Sequence, residues 1–454
     1  MLFRQVLNED LGCASYLVGD AKAGVAAVVD PQWEIEPYLR LARLHGVRIE
    51  HILETHNHAD HVSGHGRLSR ATGAAIHVHE LAGAEYDHEA ITGGWSLKLG
   101  NVRIEALHTE GHRPEHTSFV LFDSSRSEEP WAVLTGDSLF VGDVARPDLA
   151  VEPRDGAAGL FRSLRERLLP LGDGVEVWPG HLGGSACGGA SLDHKASSTI
   201  GFEREHNEAL GIDDVADFIE HAVSTLGEKP PNVEHIVAIN RGPLVEQLGV
   251  PSPLNPRDVE VSIDEGAMLI DARTNEQFDE GHVPGAFSAS AFDTGFATKV
   301  AKVVPPDAEL IVVAASDGYE MEAAELLGSV GLRVRGYLRG GMTAWRSEGR
   351  DVERIEVIEP AALAERLRGE DGLVTVVDVR DQREFEAGHV DGSINIPFGD
   401  LAGRLDELPR KGSIAAICSG GKRSGMAASI LQREGFDDLL HVTGGGVREL
   451  LATG

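Results

Sequence analysis

The stretch THNHADH, Thr55 to His61, places three histidines and an aspartate within seven residues, directly after the apolar run HILE. In such a turn His56, His58, Asp60 and His61 can converge on a cation without the backbone folding twice, and imidazole with carboxylate suits zinc, iron or manganese. Three more candidates lie downstream: His112 in HTEGHRPEHT, Asp137 in LTGDSLF and His181 in WPGHLGGSACG, each after a strand-like run and beside glycine. The near absence of cysteine around them argues against a purely structural zinc site. A second chemistry is written at the far end, where Cys418 opens CSGGKRS between the apolar run IAAI and a helix beginning near Ser424. The backbone N–H groups of such a turn, the helix N-terminus and Arg423 favour an anion. The thiol is therefore expected to have a lowered pKa, to be exposed enough to react, and to carry a sulfane sulfur as a persulfide. Cys418, Arg423 and Ser424 are the candidate catalytic residues of that loop.

The elements that must position these groups follow from pattern. ASYLVGD, GVAAVVD, IEHILETH, AAIHVH, NVRIEALHT, HTSFVLF and WAVLTGD are short β-branched runs closed by turn residues. Helical stretches such as EPYLRLARLHG and DGAAGLFRSLRERLLPLG interrupt them. This predicts a layered αββα domain with the site at strand ends. Further on, LIDARTNEQFDEGHVPGA (269 to 286) is echoed by VVDVRDQREFEAGHVDGS (376 to 393), an offset of 107 residues. Each copy continues through a strand, a loop, a helix and a glycine pair, which predicts two small parallel-sheet α/β domains. GVPSPLNP (249 to 256) is expected to be the linker before the pair and DVERIEVIEP (351 to 360) the junction within it. The expected domains are residues 1–252, 253–355 and 356–454.

With 454 residues the chain is long enough for about three domains. A formal charge of −32 argues against nucleic acid or an anionic membrane as partner. Three cysteines form no disulfide framework and fit a reducing compartment, so a soluble cytoplasmic protein is expected; no window reaches about 18 uninterrupted apolar residues. Of the other candidates, His77 and His79 are expected to be a solvent-facing pair on one strand face, and His88, His108 and His116 have no assigned role. Cys187, six residues after His181, is expected to be a packed cysteine and Cys13 plain core.

On these motifs residues 1 to about 245 resemble the metallo-β-lactamase superfamily, whose members carry T-H-x-H-x-D-H, a later histidine, a bridging aspartate and a last histidine. The resemblance implies an αββα sandwich and admits two chemistries. Dinuclear zinc hydrolases of the glyoxalase II type use His56, His58, Asp60, His61, His112, Asp137 and His181. Persulfide dioxygenases hold one Fe(II) per chain, through the positions of His56, His112 and Asp137, and leave the other four beside it or for a second metal. Two histidines and a carboxylate on one face leave positions open, as joining O₂ to a substrate at one iron requires. GDSLFVGDVARPDL (136 to 149) and SSTIGFEREHNEAL (197 to 210) resemble the iron type further. Ala145 stands where glycine is usual there, and Arg146 and Asp148 are substrate-binding candidates.

Residues from about 258 to 350 and from about 360 to 454 resemble rhodanese domains, sulfurtransferases with this six-residue loop. Asp271 with Arg273, and Asp378 with Arg380, are expected to be structural ion pairs. In the earlier copy Ala315 stands in the place of Cys418 and Glu320 in that of Arg423, so that copy is expected to be inert and to serve as spacer, docking surface or packing partner. The whole chain resembles persulfide dioxygenase–rhodanese fusion proteins. This implies oxidation of a small thiol persulfide, such as glutathione persulfide, by O₂ to sulfite and the free thiol, with Cys418 exchanging sulfur with thiosulfate or sulfite. A zinc thioester hydrolase and a non-catalytic sulfur sensor or scaffold are the alternatives. The thiol, the direction of transfer and the oligomeric state stay open, and a homo-oligomer is compatible with the sequence.

Overall fold

The computed structural model describes residues 1–453 except 184, 186, 189, 190, 228, 247, 248, 317 and 370–373. They form two compact units, Met1–Gln247 with Ser329–Gly331, and Leu248–Gly328 with Leu332–Gly454.

The first unit holds two six-stranded sheets. One runs in chain order through Leu2–Asn8, Cys13–Asp20, Val25–Val29, Arg48–Leu53, Ala75–His79 and Glu89–Ile91. The other runs Ser198–Thr199, Glu176–Pro179, Ala132–Gly136, Thr117–Asp123, Val102–His108 and Ser96–Leu99. Tyr16, Val18, Leu53, Ile104, Phe119, Leu121 and Leu134 share the core between them. Helices Glu36–His45 and His65–Thr72 cover the outside of the first sheet through Tyr38 and Leu68, which pack on Leu17, Val28 and Ile52. Helices Pro153–Ser163 and Val215–Ser224 cover the second through Leu160 and Phe218, on Val133 and Val177. This is the expected αββα order. It explains why every residue of Thr117–Asp123 is buried and why Phe119 to Phe122 is an unbroken apolar run: a strand covered on both faces has no solvent side to alternate with.

The same layering overturns one expectation. His77 and His79 face the opposite sheet, not solvent, and are 1% and 3% exposed. Their strand lies inside its sheet, between Arg48–Leu53 and Glu89–Ile91. His77 Nε2 is 2.9 Å from His51 Nδ1 and its ring rests on Trp95, while His79 stacks on His108 with centroids 4.3 Å apart. The opening LFRQVLN, not anticipated as a strand, pairs antiparallel with Cys13–Asp20 along its length.

The second unit holds two five-stranded sheets, parallel throughout. The expected linkers are partly sheet. Ser252–Leu254 pairs with Arg333–Leu338, and Glu356–Ile358 with Leu439–Val442, each as an edge strand. Pro253 is tolerated because an edge strand needs hydrogen bonds on one side only. Arg273 reaches Asp271 Oδ1 at 2.8 Å and Arg380 reaches Asp378 Oδ1 at 2.9 Å. The two guanidiniums also donate to the carbonyls of Gly281 and Gly388, so the repeated D-x-R pairs fasten equivalent loops in both copies. Among the described residues no helix is long and apolar enough to cross a membrane.

Candidate metal centre and thiol loop

Strand ends deliver the metal-ligand candidates. His56, His58, Asp60 and His61 follow Arg48–Leu53, His112 precedes Thr117–Asp123, Asp137 follows Ala132–Gly136 and His181 follows Glu176–Pro179. His56, His112 and Asp137 form one cluster, with Asp137 Oδ2 3.8 Å from His56 Nε2 and 3.5 Å from His112 Nε2. These three atoms are buried and, among the described residues, have no hydrogen-bond partner. Polar atoms in that condition are costly unless something meets them.

The opposite ring edges are occupied in a way that fixes the tautomers. Thr55 Oγ1 donates to Asp30 Oδ2 at 2.8 Å and therefore accepts from His56 Nδ1, also at 2.8 Å. His112 Nδ1 donates to the Arg146 carbonyl at 2.9 Å. Each ring is left with a bare lone pair on Nε2, the form a metal takes. His116 supports the carboxylate: its Nε2 accepts the Asp137 N–H at 2.9 Å, and burial pushes its pKa down to about 3, keeping it neutral. Glycines make room for this packing. A Cβ on Gly180 would lie 2.6 Å from Asp137 Oδ1, and one on Gly136 (φ +49°) 2.8 Å from His116 Nε2. Two imidazole nitrogens and one carboxylate oxygen, aimed inward and unpaired, fit a metal ion.

The other four candidates form a neighbouring cluster, in which Asp60 and both nitrogens of His181 have partners of their own. His181 Nδ1 is 2.8 Å from Asp137 Oδ1 and its Nε2 2.9 Å from Asp60 Oδ2. Burial opposes charge on His181, but Asp137, Cys13 and Asp60 outweigh it and hold the ring protonated well above the ordinary histidine value. Burial likewise works against ionised Asp137, yet His181 brings that carboxyl down to about 2. His61 Nδ1 lies 3.1 Å from Asp60 Oδ1. His58 Nε2 points to Asp30 and Glu54, at 3.3 and 3.5 Å. Both ring nitrogens of His58 and Nε2 of His61 lack hydrogen-bond partners among the described residues.

Two cysteines belong to these surroundings. Cys13 is buried as expected of core, yet its Sγ lies 3.3 Å from His181 Nε2 and 3.4 Å from Asp60 Oδ2. A backbone bridge between Cys13 and His181 brings it there across a separation of 168 residues, so no local pattern could have signalled it. Cys187 is packed, as expected, beside Asp137 and His181, and burial pushes its thiol well up. His116 did leave a signal, four residues after His112. Arg146 and Asp148, the substrate-binding candidates, are buried and face each other, Nε to Oδ1 at 2.7 Å and Nη2 to Oδ2 at 3.0 Å. The contact of Arg146 with the centre is its carbonyl, on His112. The Ala145 side chain packs against Phe140 and Leu192.

In the thiol loop, Cys418 accepts the Gly421 N–H at 3.1 Å and lies 3.4 Å from Ser424 Oγ. Burial raises the thiol pKa, but hydrogen bonds from Ser424 and the loop backbone, with Arg423, bring it below its ordinary value. One expectation is corrected here. Cys418 is 1% exposed, sunk beneath the loop that cradles it. Arg423 lies at the loop, where Ser419 Oγ accepts from it at 3.0 Å, and Glu384 grips its guanidinium at both oxygens. In the other copy Glu320, in place of arginine, accepts the Gly318 N–H at 2.8 Å.

Residues 8–181 match the metallo-beta-lactamase superfamily, and residues 255–348 and 359–452 each match the rhodanese-like domain. The chain is 32% identical over 184 residues to the mitochondrial persulfide dioxygenase ETHE1 of Homo sapiens, over 40% of this chain and 68% of the human one. It is also 32% identical over 170 residues to the hydroxyacylglutathione hydrolase of a Polaromonas species, over 37% of this chain and 61% of that protein. Among solved structures, a metallo-beta-lactamase from Staphylococcus aureus is 28% identical with a TM-score of 0.67, covering 74% of this chain and 98% of its own. The chain belongs to the metallo-beta-lactamase superfamily, with ETHE1 persulfide dioxygenases among its homologues, and two rhodanese-like domains follow that first domain.

Proposed function

We propose that the chain oxidises a small thiol persulfide of the glutathione type with O₂ at a single Fe(II) held by His56, His112 and Asp137, and exchanges sulfane sulfur through Cys418. The balanced oxidation takes persulfide, O₂ and water to thiol, sulfite and two protons. The observation that carries this reading is the set of three unpartnered, buried donor atoms of His56, His112 and Asp137, beside a His181 ring already committed to two carboxylates. Held by these three residues, an iron would supply the chemistry that joins O₂ to the terminal sulfur. The chain's own part is to orient: Thr55 and the Arg146 carbonyl hold the two imidazoles, and His116 holds the backbone of Asp137. His181 keeps its protons at Nδ1 and Nε2, between Asp137 and Asp60.

At Cys418 the thiolate attacks the sulfane sulfur of thiosulfate. A sulfur–sulfur bond to Cys418 forms as the bond to sulfite breaks, and sulfite leaves with the electron pair. A thiol acceptor then takes the outer sulfur and returns Cys418 to thiolate, and the reverse sequence makes thiosulfate. The Gly421 N–H and Ser424 are placed to stabilise the sulfur anion. A sulfur carrier on the same chain makes sense when the metal site handles the same kind of sulfur.

A second reading, a dinuclear zinc hydrolase, is favoured by the ring nitrogens of His58 and by Nε2 of His61, which lack hydrogen-bond partners among the described residues, and by the hydroxyacylglutathione hydrolase relative. Anaerobic reconstitution with Fe(II), followed by oxygen uptake with glutathione persulfide, separates the two. One iron per chain with uptake is expected. Two zincs per chain and no uptake would establish the hydrolase. Asp137→Ala should abolish uptake, whereas Cys418→Ser should spare it and stop only sulfur transfer.

A further inference from the structure

The loop around Cys418 is not built by its own copy alone. The Gly421 carbonyl accepts from His441 Nε2 at 2.8 Å, from Ser424 Oγ at 3.0 Å and, out of the nucleophile-free copy, from Asn275 Nδ2 at 3.4 Å. His441 Nδ1 lies 2.8 Å from Asp279 Oδ2, and Asp279 sits with Asn275 on the helix Asn275–Glu280 of that same copy. Since both ring nitrogens of His441 face acceptors, both carry protons and the ring is a cation. The pair is sealed from solvent, with side chains 0% and 5% exposed. Two more contacts join the copies at this point. Lys422 Nζ reaches Asp293 at 2.8 Å, and a Cβ on Gly425 would lie 3.1 Å from the Asn275 side chain.

We propose that the copy lacking a nucleophile is a working part of the other's sulfur-transfer loop: Asp279 holds His441 as a buried cation that pins the Gly421 carbonyl, and so aims the Gly421 N–H at the Cys418 sulfur. This rests on the reading of Cys418 as the sulfur carrier. Gly421 has φ +93°, in the left-handed region, and its N–H and C=O serve two different partners. Fixing the carbonyl fixes the residue between them. Burial works against charge on His441, but Asp279, the Gly421 carbonyl and Cys418 outweigh it and raise its pKa above the ordinary value. The ionisable groups that face His441 are Asp279 from the first copy and Cys418 at the loop, with Arg423 beyond the thiol. Asp279 touches no reacting atom and is a positioning residue.

The test uses the full chain and two readouts: transfer from thiosulfate to glutathione across pH, and the pH dependence of iodoacetamide alkylation read at Cys418 by mass spectrometry. In Asp279→Asn the alkylation midpoint should rise by about one unit, transfer at neutral pH should fall about tenfold, and the loss should shrink above the thiol's midpoint. Asp279→Glu should recover part of both. His441→Gln keeps a donor but no charge; it should show the same rise, and it serves if Asp279→Asn does not fold. An unchanged midpoint, with transfer either intact or reduced by one constant factor at every pH, would overturn the inference. Transfer that survives Cys418→Ser would instead overturn the reading of Cys418 beneath it.

Discussion

Replacing Thr55 with valine keeps the outline of the side chain and deletes one oxygen, and that oxygen holds two buried partners. The hydroxyl donates to Asp30 Oδ2 and accepts from His56 Nδ1, each at 2.8 Å. Leaving a buried polar group unpaired costs about 1–3 kcal/mol, so two such groups should take about 2–6 kcal/mol from the metal-free chain. A domain's whole stability is about 5–15 kcal/mol. The second effect falls on the metal. Once His56 is no longer tied through Nδ1, its proton can reside on Nε2, the atom that faces His112 and Asp137. Loss of such an outer partner lowers metal affinity about 10–100-fold, equivalent to about 1.4–2.8 kcal/mol. Anaerobic competition for Fe(II) against a chromophoric chelator measures this, and urea unfolding of the metal-free chain measures the first effect. Thr55→Ser, which restores the hydroxyl, should recover most of both. Iron binding by Thr55→Val within about twofold of the parent chain would refute the role of this hydroxyl in selecting the metal-binding tautomer.

Gly180→Ala should damage the same centre by sterics, because the new Cβ meets Asp137 Oδ1 at 2.6 Å; iron content after reconstitution should fall while the fold, read by circular dichroism, persists. Asp148→Asn leaves the buried Arg146 without its carboxylate and should cost about 3–5 kcal/mol in denaturant unfolding; an effect below about 1 kcal/mol would show the pair to be ornamental. The pH dependence of that pair has a definite sign. Burial raises the Asp148 carboxyl, but Arg146 and then Lys229 pull it below its ordinary value. Its contribution is therefore full above the unfolded value, about 3.9, and is lost as pH falls through the lower folded one. Acid titration of stability should show this loss in the parent chain and lack it in Asp148→Asn. In the sandwich core, Phe119→Ala should cost about 3–5 kcal/mol, read as a lowered urea midpoint.

The metal-ligand candidates were legible because strand-end donors are crowded into short motifs, and the two copies because the D-x-R and G-H-V signatures recur at a fixed offset. What escaped was whatever depends on pairing between distant strands. Cys13 enters the second cluster by a bridge to His181, and His441 meets Asp279 across 162 residues. His77 and His79 looked exposed because sheet order, which puts their strand inside, is not written locally. Ser252–Leu254 looked like a linker because its proline is a breaker everywhere except at an edge. The grip of Glu384 on Arg423 likewise depends on how the helix Gln382–Ala387, from another part of the copy, lies against the loop.

His56 hangs from one sheet of the sandwich, His112 and Asp137 from the other. An ion clasped by all three would act as a rivet through two plates, adding to their greasy inner faces and to the hydrogen bonds that already cross between them, such as Thr117 N–H to the Thr55 carbonyl. Demetallation should then be felt as mechanical loosening of the whole first unit, with faster proteolysis and a lower melting point, well before any change in the rhodanese-like pair.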